Sequence, residues 1–160
     1  MRAWRRRPLG AGERALARTV FGAAVDLEPV RLLAAGWPVR RAFVPGRWLA
    51  RDWIVWPAAT LAEDLSRAPL GDQATLVHEL VHVWQAQQGV RLAWAKLSAG
   101  DGAAAYRYAT DESCRWAALN IEQQAMVVEH AFRLARGGAA PAAASFYRAV
   151  APFPCGLEGT

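Results

Sequence analysis

Leu76-Val77-His78-Glu79-Leu80-Val81-His82-Val83-Trp84-Gln85 carries two histidines four residues apart around a glutamate. On an α-helix, residues four apart share one face, a turn above each other. His78 and His82 then aim both imidazoles at one point, and Glu79 reaches a water held there. This is the H-E-x-x-H arrangement, with two nitrogen ligands for Zn2+ and a carboxylate base beside the metal's water.

Local signals support the helix. Asp72 is a good N-cap, and the chain runs from Gln73 to Gln88 without Gly or Pro. Gly89 stands where a left-handed residue would end it. Val77, Leu80, Val81 and Trp84 form an apolar stripe beside the His/Glu face. The alternative, a core helix carrying satisfied histidines, sits badly with a chain of three histidines that spends two of them on this spacing.

The 160 residues suit one domain with its own core, read as residues 9–160 behind a basic tail over 1–8. The composition, 54% hydrophobic and 21% charged, is ordinary for a globular chain. The best apolar run, Trp53 to Ala62, is too short to span a bilayer and contains Pro57. The tip Met1-Arg2-Ala3-Trp4-Arg5-Arg6-Arg7 is followed by Glu13, Arg14 and Arg18 rather than a signal h-region. The expected location is therefore cytoplasmic, or outside the cell by a non-classical secretion apparatus.

The net charge of +5 comes from arginines and a single lysine, Lys96. Apart from Arg5 to Arg7 and the Arg40-Arg41 pair they are scattered, and no nucleic-acid signature accompanies them. Cys114 and Cys155 lack C-x-x-C spacing and are read as free thiols, outside any disulfide framework.

Along the chain, a helix is expected over Glu13 to Ala24, with Leu16, Val20 and Ala23 buried. A short strand follows at Val30 to Leu33, then strands at Val39 to Val44 and Trp48 to Trp56, punctuated by Gly36, Pro38, Pro45 and Gly46. Trp53-Ile54-Val55-Trp56 has high β-propensity and is the candidate edge on which an extended peptide substrate would lie. Ala58 to Ala68 reads as a short helical segment and Val90 to Leu97 as a short amphipathic one. Ala103 to Trp116 resists assignment. Asn120 and Gln123 form a capping box opening a helix that Gly137-Gly138 stops. A last helix is expected from Pro141 to Val150. The fold class is thus α+β, a compact domain with a short N-terminal β-sheet region, the H-E-x-x-H helix and a helical second half.

A catalytic zinc site usually needs three protein ligands and an open position. A third His six residues past His82 is excluded, since that position is Gln88 and Gln85 stands where that pattern wants Gly. Glu122, in the first turn of the next strong helix, is the favoured third ligand. Asp111, Glu112, Glu129 and His130 remain rivals.

The segments His78 to Gln85 and Glu122-Gln123-Gln124-Ala125 resemble a family of small bacterial Vgr-related proteins. That family is similar in turn to zinc metallopeptidase domains of polymorphic toxins and contractile-injection cargo. Gly12-Glu13-Arg14-Ala15-Leu16, Phe21-Gly22, Val30-Arg31 and Tyr106-Arg107-Tyr108 fit the same pattern. The resemblance implies a glutamate-zincin fold with His78, His82 and Glu122 on zinc and Glu79 as base. It departs at Met126, where the family often carries an acid able to orient a ligand His. Either another carboxylate or a backbone carbonyl takes that task, or the site is weakened.

The first functional expectation is a zinc metallopeptidase acting on a peptide or protein, with Tyr108, or else Tyr106 or Arg107, donating to the oxyanion. The second is a zinc-binding adaptor or cargo protein associated with a secretion-apparatus component. The third, nucleic-acid binding through the Arg-rich tip, has least support.

Overall fold

A computed structural model describes residues 5–100 and 102–157. Met1 to Trp4 of the basic tip and Asp101 of the expected loop lie outside the described residues. In chain order the elements are β1 (Arg6–Pro8), α1 (Ala11–Phe21), β2 (Val30–Ala35), β3 (Phe43–Trp48), β4 (Arg51–Pro57), α2 (Leu70–Gln87), α3 (Leu92–Ala99), α4 (Ile121–Ala135) and α5 (Ala144–Val150). The α+β class holds: a four-stranded sheet comes first and a helical half follows.

The sheet order is β1-β2-β4-β3, with β2 and β4 parallel and the outer pairs antiparallel. Period-2 alternation sends Val30, Leu32 and Ala34 of β2, and Ile54 and Trp56 of β4, into the core. Leu16, Val20 and Phe21 of α1 and Leu76, Val77 and Leu80 of α2 meet them. Helix α2 lies between the sheet and α4. That position brings its histidine face toward the start of α4.

Several expectations are corrected. Arg6–Pro8, assigned to a tail, pairs with β2 as an edge strand. Arg7 and Glu13 hold it there: both Arg7 Nη atoms donate to the buried Glu13 carboxylate at 2.7 Å, which also accepts from the Gly10 and Leu65 amides. Helix α1 ends at Gly22 (φ 58), so Ala23 is exposed rather than buried. Pro45-Gly46 does not turn the chain. It sits in β3 at a register shift, which an outermost strand accommodates because the missing Pro N–H faces no partner. The β3–β4 turn is Leu49-Ala50 instead.

Trp53 to Trp56 is not a free edge, because β4 is flanked by β2 and β3. Trp56 covers the core and the exposed edge is β3. Ala58 to Ala68 contains only a 3-10 turn at Leu65–Arg67, and α5 starts at Ala144, beyond Pro141.

Helix α2 begins at Leu70, so Asp72 lies in its first turn instead of capping it. Its far end follows expectation. Gly89 has φ 88, its N–H reaches the Ala86 carbonyl, and the Val90 N–H reaches that of Gln85, a Schellman closure. Helix α4 opens on the expected box, with the Gln123 N–H on Asn120 Oδ1 at 2.8 Å and the Asn120 N–H on Gln123 Oε1 at 2.9 Å.

Candidate metal centre

The capping box places Glu122 one residue into α4, opposite the His face of α2. His78 Nε2 and His82 Nε2 each lie 3.3 Å from the same atom, Glu122 Oε2. The ligand-capable atoms of these three residues all lie within 4.8 Å of one another. Zinc held tetrahedrally at about 2.0–2.1 Å from each donor would separate neighbouring donors by about 3.3 Å. The donor set and spacing therefore fit that metal.

Each histidine is held from behind. His82 Nδ1 is 2.8 Å from Gln85 Oε1, and Gln85 Nε2 donates to the Ile121 carbonyl at 3.1 Å and to Gln124 Oε1 at 2.9 Å. Gln124 in turn donates to the Trp116 carbonyl. With the amide so oriented, the proton belongs on His82 Nδ1, and Nε2 turns its lone pair into the site. His78 Nδ1 is 3.0 Å from Glu129 Oε2, while Glu129 Oε1 accepts from Arg133 at 2.9 Å. Glu129 thus stands behind His78, two helical turns after Glu122, where Met126 cannot.

Glu79 is buried, and its Oε2 has no hydrogen-bond partner among the described residues. An orphaned carboxylate oxygen beside two imidazoles needs a partner from outside the chain, a water or a substrate proton. Burial pushes the Glu79 carboxyl above the usual carboxylate range, against the opposing pull of His82, His78 and Lys96. Burial also opposes charge on His78, yet Glu122 and Glu129 raise its pKa to about 9. Against the same desolvation, both histidines hold Glu122 well below its ordinary value.

These groups open into a cleft of about 610 Å³ that is also lined by Ala42, by Phe43 at the start of β3, and by Lys96 and Tyr106. Tyr108 is not brought to it. Its hydroxyl lies 2.6 Å from His130 Nδ1 and 3.0 Å from the Tyr147 hydroxyl, and its ring stacks on Phe146. Among the rivals to Glu122, His130 belongs to that aromatic cluster, and Asp111 caps Ser113 near the exposed Glu112.

Gln85 and Gln124 are the site residues that sequence reasoning passed over. The i+3 spacing from His82 was the available signal for Gln85. Gln124 had none beyond its place in Glu-Gln-Gln-Ala.

No family model matches the chain. The type VI secretion system spike protein VgrG2b of Pseudomonas aeruginosa is 30% identical over 141 residues, covering 79% of this chain. The solved effector domain of Pseudomonas aeruginosa VgrG2b matches with a TM-score of 0.66 and 28% identity, over 81% of this chain and 75% of that one. The chain is similar to a Vgr protein in sequence and in fold. It spans 13% of the spike protein's length. The likeness lies with that protein's effector portion, in sequence and in fold alike. No helix of the described residues is long and apolar enough to cross a membrane.

Proposed function

We propose that this chain is a zinc-dependent peptidase of the glutamate-zincin kind, acting as cargo or effector of a type VI secretion apparatus. The observation that carries it is the convergence of His78 Nε2 and His82 Nε2 on one Glu122 oxygen beside Glu79, whose Oε2 has no partner among the described residues. His78, His82 and Glu122 would hold the metal, with Glu129 and Gln85 fixing the rings. Zinc, when bound, supplies Lewis acidity that polarises a carbonyl and lowers the pKa of a water.

Glu79 is the base. Its Oε2 takes the proton of the attacking water and returns it to the departing amine nitrogen. The raised affinity of this buried carboxylate for a proton suits the carrier role. The β3 edge beside the cleft offers unpaired backbone groups to an extended substrate. The effector name of the solved relative supports the secretion association and export by that apparatus.

A second reading has a specific support: the relatives' names speak of secretion and not of hydrolysis. Under it the domain keeps zinc for structure and serves as an adaptor. Elemental mass spectrometry and casein hydrolysis on the wild type, Glu122→Ala and Glu79→Gln separate the two. The peptidase reading expects about one zinc per chain in the wild type and in Glu79→Gln, loss of zinc in Glu122→Ala, and hydrolysis in the wild type alone. A zinc-loaded wild type inert on a broad set of peptides would leave the adaptor. A wild type that takes no zinc even when supplemented would sink both.

A further inference from the structure

Tetrahedral chemistry at a carbonyl requires a donor facing the oxygen on which charge develops, and Tyr108 is engaged elsewhere. Among the described residues lining the cleft, donor hydrogens outside the two histidines are carried by Arg40, Arg41, Trp56, Thr60, Thr75, Lys96 and Tyr106, and the Trp56 N–H is spent on Thr60 Oγ1. One of these, Lys96, forms an ion pair with the ligand cluster. Lys96 Nζ, on α3, lies 3.9 Å from Glu122 Oε1, the oxygen on which the histidines do not converge.

That distance makes an ion pair but not a hydrogen bond, so Glu122 holds the ammonium nearby without consuming its hydrogens. No other bond to Nζ occurs among the described residues, and the side chain, 35% exposed, lines the cleft. Its identity also matters. Every other cationic side chain apart from histidine is arginine. A guanidinium at this position would pair with Glu122 through two parallel bonds and be locked there. An ammonium on a flexible stem can shift its donors to a single oxygen.

We propose that Lys96 is the oxyanion-binding residue of the cleft. The assignment rests on the peptidase reading for its catalytic meaning. As the water oxygen bonds to the carbonyl carbon, its proton goes to Glu79 and the C=O π pair moves onto oxygen, which faces the Lys96 ammonium. When that pair re-forms C=O, the C–N bond breaks with its electrons on nitrogen. Nitrogen takes the proton from Glu79, leaving an amine and a carboxylic acid that ionises to solvent. Lys96 keeps its own proton throughout.

The test uses Lys96→Met and Lys96→Arg beside the wild type, each with its metal content measured. Inorganic phosphate, a tetrahedral oxyanion, is titrated into the cobalt-substituted proteins and followed in their visible spectra. Lys96→Met should keep one metal per chain and bind phosphate about tenfold more weakly, and Lys96→Arg, its guanidinium locked on Glu122, should also bind it more weakly than wild type. On casein, Lys96→Met should lose about 10²–10³-fold in kcat with little change in KM.

Equal phosphate affinity in Lys96→Met and wild type overturns the proposal, as does a wild type that binds no phosphate. Loss of metal in Lys96→Met also overturns it, since Lys96 would then only neutralise Glu122. A wild type inert on peptides but binding phosphate through Lys96 would reject the peptidase reading and leave the oxyanion site standing.

Discussion

His82, a candidate ligand, is held in place by the chain's own side chains. Buried at 1% exposure, it has no water to choose its tautomer, so Gln85 does, and Gln85 is itself held by α4. Glu129 does the equivalent for His78. Such partners typically tune metal affinity by about 10–100-fold. Gln85→Ala and Glu129→Gln are each expected to weaken zinc by that factor in competition with a chromophoric chelator. Affinities equal to wild type would mean that the rings are positioned by packing alone. His78, Glu79 and His82 were legible because helical spacing alone puts them on one face. Glu122 was legible from ligand count and its place in a first turn. Gln85 was not, because its partners come from a segment far along the chain.

At the scale of elements, the β3–β4 hairpin departs most from its sequence signals. Leu49 (φ 51) and Ala50 (φ 56) both sit in the left-handed region, as a two-residue primed turn demands. Side chains with a Cβ cost roughly 1–2 kcal/mol each there. The pair was illegible as a turn because neither residue is Gly, Asn or Asp, whereas Pro45-Gly46 carries the usual turn chemistry and forms an irregularity inside β3. Replacing Leu49-Ala50 by Asn-Gly should stabilise the fold by about 1–2 kcal/mol, after allowing for glycine's freedom in the unfolded chain. Urea unfolding would show it as a raised midpoint at constant slope. An unchanged midpoint would show that the neighbouring strands already absorb the strain.

The whole molecule carries a pH dependence through His130. Burial lowers its pKa below the ordinary 6.5, against the pull of Glu129, so the unfolded chain binds this proton more readily. The stability it contributes is complete above about pH 6.5 and is lost as pH falls toward the depressed value. In zinc-loaded protein, where His78 is committed to metal, thermal midpoints should fall from pH 6.5 to 5. His130→Gln should flatten that fall. Parallel curves for the two proteins would assign the acid sensitivity to other groups.

Helix periodicity, the capping box at Asn120 and the His-Glu-x-x-His spacing are properties of short stretches about their own axes. From the sequence by itself, with the strand signals, they determined the α+β class, the two helices that carry the candidate ligands and the candidates themselves. The edge strand, the partners behind the histidines, the removal of Tyr108 to an aromatic cluster and the approach of Lys96 were decided only by tertiary structure. Each depends on which distant segments pack side by side, and no local period encodes that. Burial between α2 and α4 then converts these neighbours into fixed hydrogen bonds, because a polar group without water must find its partner in the chain.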